Sequence, residues 1–156
     1  MAMRMDGPLA ALDQWKPDGC SLAKALDVVG TKSAMLLLRE AFYGVTRFDT
    51  FVRRVGITEA VAAKRLRELV ESGLLEKRPY REPGARTRYE YVLTEKGRAL
   101  LPVIVALMQW GDTYLQPGGA RLHVVSAETG EPVRVVVAPS AGDSLEPEGL
   151  AVRLQR

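Results

Sequence analysis

Residues Thr58–Gly73 read TEAVAAKRLRELVESG, which sets Lys64, Arg65 and Arg67 almost side by side in a helical pattern. At about 100° per residue, Ala62, Leu66, Leu69 and Val70 fall on one stripe, and Ala60, Lys64, Arg67 and Glu71 lie opposite with Ala63 at the border. Thr58 is a candidate N-cap for this helix. The cations have two readings. One is a solvated face stitched by Lys64–Glu68 and Arg67–Glu71 pairs. Those pairs run base before acid, the weaker order, and each contributes only about 0.2–0.5 kcal/mol. The other is a surface shaped for an anion. Small alanines let a helix backbone approach a groove closely, while Lys and Arg reach guanine edges or phosphates. Arg65 points partly toward the core-flanking side, so a phosphate contact or an acidic partner is expected for it.

The flanking segments choose between these readings. Upstream, Ser21 opens a helical pattern with Leu22, Ala25, Leu26 and Val29 on one face and Gly30 as its stop. Thr31 then caps a second helix, in which Met35, Leu36, Leu37 and Leu38 make nearly the whole circumference apolar, and it ends at Gly44. Arg47–Val55 reads as a third helix, with Phe48, Phe51 and Val52 inward and Gly56 closing it. Downstream, LLEKRPY (Leu74–Tyr80) and TRYEYVL (Thr87–Leu93) are β-rich runs joined by the turn REPGAR. Thr94 caps a long helix to Leu115, which Pro102 kinks or breaks.

Helices, hairpin and long helix in this order make a winged helix-turn-helix, whose second helix enters the major groove while the hairpin tip reaches the backbone or minor groove. Arg81, Arg86 and Arg88 crowd around Pro83–Gly84, where they repel one another unless an anion is present. The residues expected to face double-stranded DNA are Arg47, Thr58, Ala60, Lys64, Arg65, Arg67, Arg81, Arg86 and Arg88. An alternative use of the same surface is contact with an acidic protein partner, without a specific operator.

Charge is distributed accordingly. The chain of 156 residues carries a formal +3, but Arg47–Tyr91 holds 11 Lys/Arg against 7 Asp/Glu, whereas Pro117 onward holds 4 Arg against 5 acids. A basic central block is the footprint of a nucleic-acid-binding module. With 47% hydrophobic residues the chain can bury a core. It lacks an apolar run of the roughly 18 residues a membrane span needs and a charged-then-apolar leader, so a cytoplasmic protein is expected. The single cysteine, Cys20, excludes an internal disulfide and any site built from several thiolates. No Ser-His-Asp set, paired carboxylates or phosphate loop is evident, so neither enzymatic activity nor a cofactor is expected. His123 reads as a surface or structural residue.

The fold class is mainly α with small β. Residues 1–19 read as an irregular arm, although Leu9, Leu12 and Trp15 allow a short helix; 20–115 form the winged-helix domain. In 116–156, RLHVVSA and PVRVVVA flank ETGE as a hairpin, and LAVRLQR is placed to add a strand. The long helix carries Leu100, Ile104, Leu107, Met108 and Trp110, more apolar surface than one small domain covers, and a homodimer is expected.

The chain resembles the HxlR-type winged-helix transcriptional regulators over roughly Cys20–Tyr114. The carriers are CSLAKALDVVG (Cys20–Gly30), LLLREAFYGVTRF (Leu36–Phe48), RLRELVESGLLEK (Arg65–Lys77) and RYEYVLTEKGRAL (Arg88–Leu100). The resemblance implies a homodimeric repressor or activator on (pseudo)palindromic operator DNA, paired through the first helix and the long helix after the wing. It also implies an effector, a small molecule or an oxidant. Some members sense oxidants or electrophiles through a cysteine near Cys20, where a helix N-terminus can lower a thiol pKa; the alternative is a small apolar side chain at a helix start or dimer seam. The sequence departs from the family pattern at Ser33, where members have Trp in a G-x-x-W setting. It departs again in the tail, where some members carry paired cysteines. Here Ser126, Ser140 and Ala141 leave only His123 as a ligand, and no metal is expected.

Overall fold

The computed structural model describes residues 2–154. The elements are β1 (Arg4–Met5), α1 (Ser21–Val29), α2 (Lys32–Phe42), α3 (Phe48–Val55), α4 (Glu59–Glu71), β2 (Leu75–Tyr80), β3 (Arg88–Leu93), α5 (Glu95–Arg98), α6 (Leu101–Leu115) and β4 (Ala151–Val152). They fall into two units: residues 21–121, and residues 2–20 together with 122–154. Among the described residues no helix is long and apolar enough to cross a membrane.

In the first unit local chemistry sets the boundaries. Thr31 Oγ1 accepts from Ala34 N at 3.2 Å, Thr58 Oγ1 from Val61 N at 3.3 Å, and Thr94 Oγ1 from Gly97 N at 3.0 Å. Each threonine thereby satisfies one of the N–H groups a helix start leaves open. Gly56 ends α3 with φ +71°, a left-handed turn that a residue with a side chain adopts only with strain. Leu37, Leu38, Phe51, Leu66, Leu69, Leu74, Leu75 and Ile104 gather in one core. Phe51 meets Tyr91 edge to face at 6.3 Å, and Tyr91 N donates to Thr46 O at 2.8 Å, so β3 is fastened to the loop before α3. The strands pair antiparallel from Leu75↔Leu93 to Tyr80↔Arg88 and form the wing.

One of the two outcomes expected at Pro102 is found, and three details differ from the sequence expectation. The long helix is broken: Ala99 and Leu100 separate α5 from α6, and Pro102 stands in the first turn of the new helix, where its missing N–H costs least. Leu100 before α6 and Ile104 and Met108 on it turn into the core, while Leu107 and Trp110 stay 55% and 56% exposed. On α1, Val29 is buried but Leu22 and Leu26 are 67% and 54% exposed, so that apolar face is not covered. Glu40 on the apolar α2 is only 2% exposed, because Arg39 and Arg54 both hydrogen-bond its carboxylate. A cavity of about 340 Å³ lies beside Ser33, lined by Leu36 of α2 and by Val55, Gly56 and Ile57 at the α3–α4 turn.

The second unit is built from the two ends of the chain. β1 pairs parallel with β4, and Arg4 N donates to Leu150 O at 2.8 Å. The arm is not irregular throughout: two 3-10 turns, Gly7–Ala10 and Leu12–Gln14, bury Leu9, whose carbonyl accepts from Trp15 Nε1 at 3.0 Å. Asp6 receives Arg153 and Arg4, and these hydrogen bonds hold its carboxyl below the usual range. The hairpin expected around ETGE is reduced to one antiparallel bridge, Val125↔Pro132, flanked by Ser126 N to Glu131 O and Val133 N to Val124 O. Pro132 has no N–H for a ladder. The LAVRLQR segment contributes β4, and its last two residues lie outside those described.

Candidate nucleic-acid interface

α4 is the second helix of the helix-turn-helix, and its faces divide as the 100° step requires. Ala62, Leu66 and Leu69 are buried, whereas Ala60, Ala63, Lys64, Arg67 and Glu71 are exposed. The pairs that a solvated face would use do not form. Glu68 is taken by Arg65, Nη1 to Oε2 at 2.6 Å, and among the described residues neither Lys64 nor Arg67 meets a carboxylate. Two long cations are thus left without countercharge beside two alanines. Arg65 follows the acid-partner branch of its expectation; it is part-buried, and its Nε is enclosed without a hydrogen-bond partner. Thr58 spends its acceptor on the helix cap.

The wing shows the same contrast along its length. In β2 the cations are neutralised or stacked: Arg78 pairs with Glu76 at 3.1 Å, and Lys77 Nζ sits 4.6 Å from the Tyr89 ring centroid. At the tip, Arg81 Nε donates to Ala85 O at 3.0 Å and braces the turn, in which Gly84 has φ +76°. Arg86 and Arg88 are exposed, and neither has an acidic partner among the described residues.

Arg47 is placed differently from the other candidates. It stands at the cap position before α3, with its guanidinium carbon 3.2 Å from the Tyr80 ring centroid and Nη1 enclosed without a partner. This stack ties the start of α3 to the end of β2, so Arg47 braces the angle between helix pair and wing. Arg53 was not singled out by the sequence pattern. It is exposed at the end of α3 with no ion pair among the described residues, and its signal was a basic last turn on the helix that crosses the backbone. Its neighbour Arg54 is instead spent on Glu40. Cys20 is a free, half-buried thiol immediately before α1.

The model of the HxlR-like helix-turn-helix family matches residues 28–118. An uncharacterized HTH-type transcriptional regulator of Mycobacterium tuberculosis is 45% identical over 115 residues, 73% of this chain and 72% of the relative. Among solved structures, that of PA1607, described as a candidate transcription factor, is 38% identical with a TM-score of 0.77, covering 89% of this chain and 96% of that one. The redox regulator HypR in its reduced form is 31% identical with a TM-score of 0.57 over 62% of this chain and 95% of its own. The PA1607 match, at 89% of this chain, extends past the residues that the family model matches. The order of elements, the capped α4 with its bare cations and the matched residues together place this chain in the HxlR-like helix-turn-helix family.

Proposed function

We propose that the protein reads a two-fold-related operator as a cytoplasmic homodimer, with α4 in the major groove and the wing tip on the flanking backbone. Regulation of transcription through DNA binding is the function that family membership gives it. The observation that carries the finer reading is the selective baring of charge. Among the described residues Lys64, Arg67, Arg86 and Arg88 lack countercharges, while Arg54, Arg65 and Arg78 beside them are paired. In this reading Lys64 and Arg67 touch base edges across the close approach that Ala60 allows. Thr58, Arg81, Arg86 and Arg88 touch phosphates, and Arg47 and Arg65 hold the two elements in place. The exposed apolar residues of α1 and α6 supply the dimer seam. Cys20 is the oxidant-sensing residue in this scheme, in keeping with a relative described as a redox regulator.

Footprinting on the DNA flanking the protein's own gene tests the scheme. Two protected half-sites about 10 bp apart, one helical turn, are expected. Weak, equal binding to every duplex would instead favour a module for an acidic protein partner.

A further inference from the structure

We infer that a cavity between α1, the α4–β2 connection and α5 is an effector site for a small apolar carboxylic acid. The cavity measures about 320 Å³, within the roughly 300–1,000 Å³ typical of ligand pockets. Its wall is apolar over most of its extent: Ala25, Val28 and Val29 from α1, Leu74 from the connection, and Ala99 and Leu100 after α5. Two lysines, Lys24 and Lys96, complete it, and no acid lines it. Lys24 has no carboxylate partner among the described residues. An apolar body with one negative group matches this lining. A cation meets repulsion there, and a bare inorganic anion leaves the apolar wall in water.

The cavity abuts the end of the recognition helix. Lys96 Nζ donates to Ser72 O at 2.6 Å, satisfying a carbonyl left open at the C-terminus of α4. Thr94 Oγ1 donates to Gly73 O at 2.6 Å, and Thr94 N donates to Leu74 O at 3.1 Å. Gly97 packs so closely that a Cβ there would lie 2.1 Å from Leu74 O. Leu74 is therefore both cavity wall and anchor of α4. A bound carboxylate competes with Ser72 O for Lys96, which releases the α4 end and weakens the DNA complex; by linkage, DNA weakens the acid in return. The coupling rests on the operator reading above, whereas the site itself does not.

Calorimetric titration of the full chain, without DNA, with cinnamate and with cinnamamide tests the site. Cinnamate is expected to saturate one site per chain, with the amide bound at least about tenfold more weakly, since charge-assisted hydrogen bonds are roughly twice as strong as neutral ones. Lys24→Gln and Lys96→Gln should each pull that ratio toward one. Ala25→Phe and Ala99→Leu, which fill the cavity from two sides, should abolish cinnamate binding while keeping the parent's melting curve. Equal affinity for acid and amide overturns the proposal, as does unaltered binding in whichever filled variant folds, or no saturable heat. Dissociation of a dimer by cinnamate overturns it too, since a second copy would then own the cavity. In a parallel titration of selected duplex, cinnamate should weaken DNA binding by the parent and not by Lys96→Gln. If no duplex is bound even without cinnamate, the operator reading fails while the calorimetric result stands. If duplex binds well and the calorimetry fails, only the cavity proposal falls.

Discussion

Arg67 and Arg86 are both long, charged and without an ion pair among the described residues, yet they stand on backbones of unequal rigidity. Arg67 projects from mid-helix, where its rotamers are few and its aim is set by the buried Leu66 and Leu69. Arg86 follows a glycine turn. Arg67→Ala should therefore cost about 1–3 kcal/mol on the operator and much less on random duplex, shrinking the specificity ratio. Arg86→Ala should weaken both alike and lower the slope of log K against log salt by about one unit. Equal losses on both duplexes for Arg67→Ala would reduce α4 to a backbone grip. Glu40 is a different kind of residue, because its charge is structural. Burial alone would raise its carboxyl, but hydrogen bonds from Arg54 and Arg39 outweigh that and leave it below its ordinary 4.5. A carboxyl lowered in the folded state stabilises the protein above its unfolded value and loses that contribution as pH falls through the folded one. Denaturant melts should show wild type losing stability at acidic pH, more steeply than Glu40→Gln. At neutral pH the variant should lose about 1–3 kcal/mol, since Arg39 and Arg54 remain partly solvated. For Cys20, mild oxidation should change DNA affinity in wild type and not in Cys20→Ser, with basal binding kept; a response surviving in the mutant returns the thiol to packing.

Helix caps and the wing turn were legible in the sequence because their chemistry is local. Thr31, Thr58 and Thr94 bond N–H groups only three positions on, and Gly56 closes α3 by its own φ. The basic face of α4 was legible for the same reason, since periodicity alone sets Lys64 and Arg67 opposite Leu66 and Leu69. What was hidden depends on distant partners. Nothing near Glu40 announces Arg54, and nothing near Arg4–Met5 announces Ala151–Val152, a pairing two residues long. The stacking of Arg47 on Tyr80 likewise joins elements that the pattern treats separately. The departure at Ser33 was visible as a missing aromatic, and a cavity of about 340 Å³ lies beside it. α2 and the α3–α4 turn line this space at the pivot of the helix-turn-helix. Ser33→Trp should fill part of that cavity and raise the melting temperature by a few degrees, about 1 kcal/mol in a domain of this size. A lower melting temperature would mean the turn has settled around serine and cannot admit an indole.

α6 resolves into two faces once its register is known. Ile104, Val105 and Met108 serve the core, whereas Val103, Leu107, Trp110 and Tyr114 remain exposed at spacings of four, three and four. That is the spacing of a heptad seam, the pattern by which two helices pack knobs into holes. Trp110 and Tyr114 already meet at 5.8 Å within the chain, so they present one preformed aromatic patch. Leu22 and Leu26 on α1 add a second uncovered apolar strip. An isolated domain would leave all of this in water, and a two-fold partner offers each strip its own copy. In the proposed dimer, pairing also gives the operator contacts their reach, since two recognition helices act as one binder with a high effective concentration at the second half-site. Leu107→Glu places a charge in the seam and leaves the core face untouched. It should sediment as a monomer at micromolar concentration where the parent is a dimer, and it should lose about 10²- to 10⁴-fold in operator affinity. Its binding to a single half-site should stay close to that of the parent's individual subunit. A parent protein that already sediments as a monomer at that concentration would remove the seam, and the two-fold operator with it.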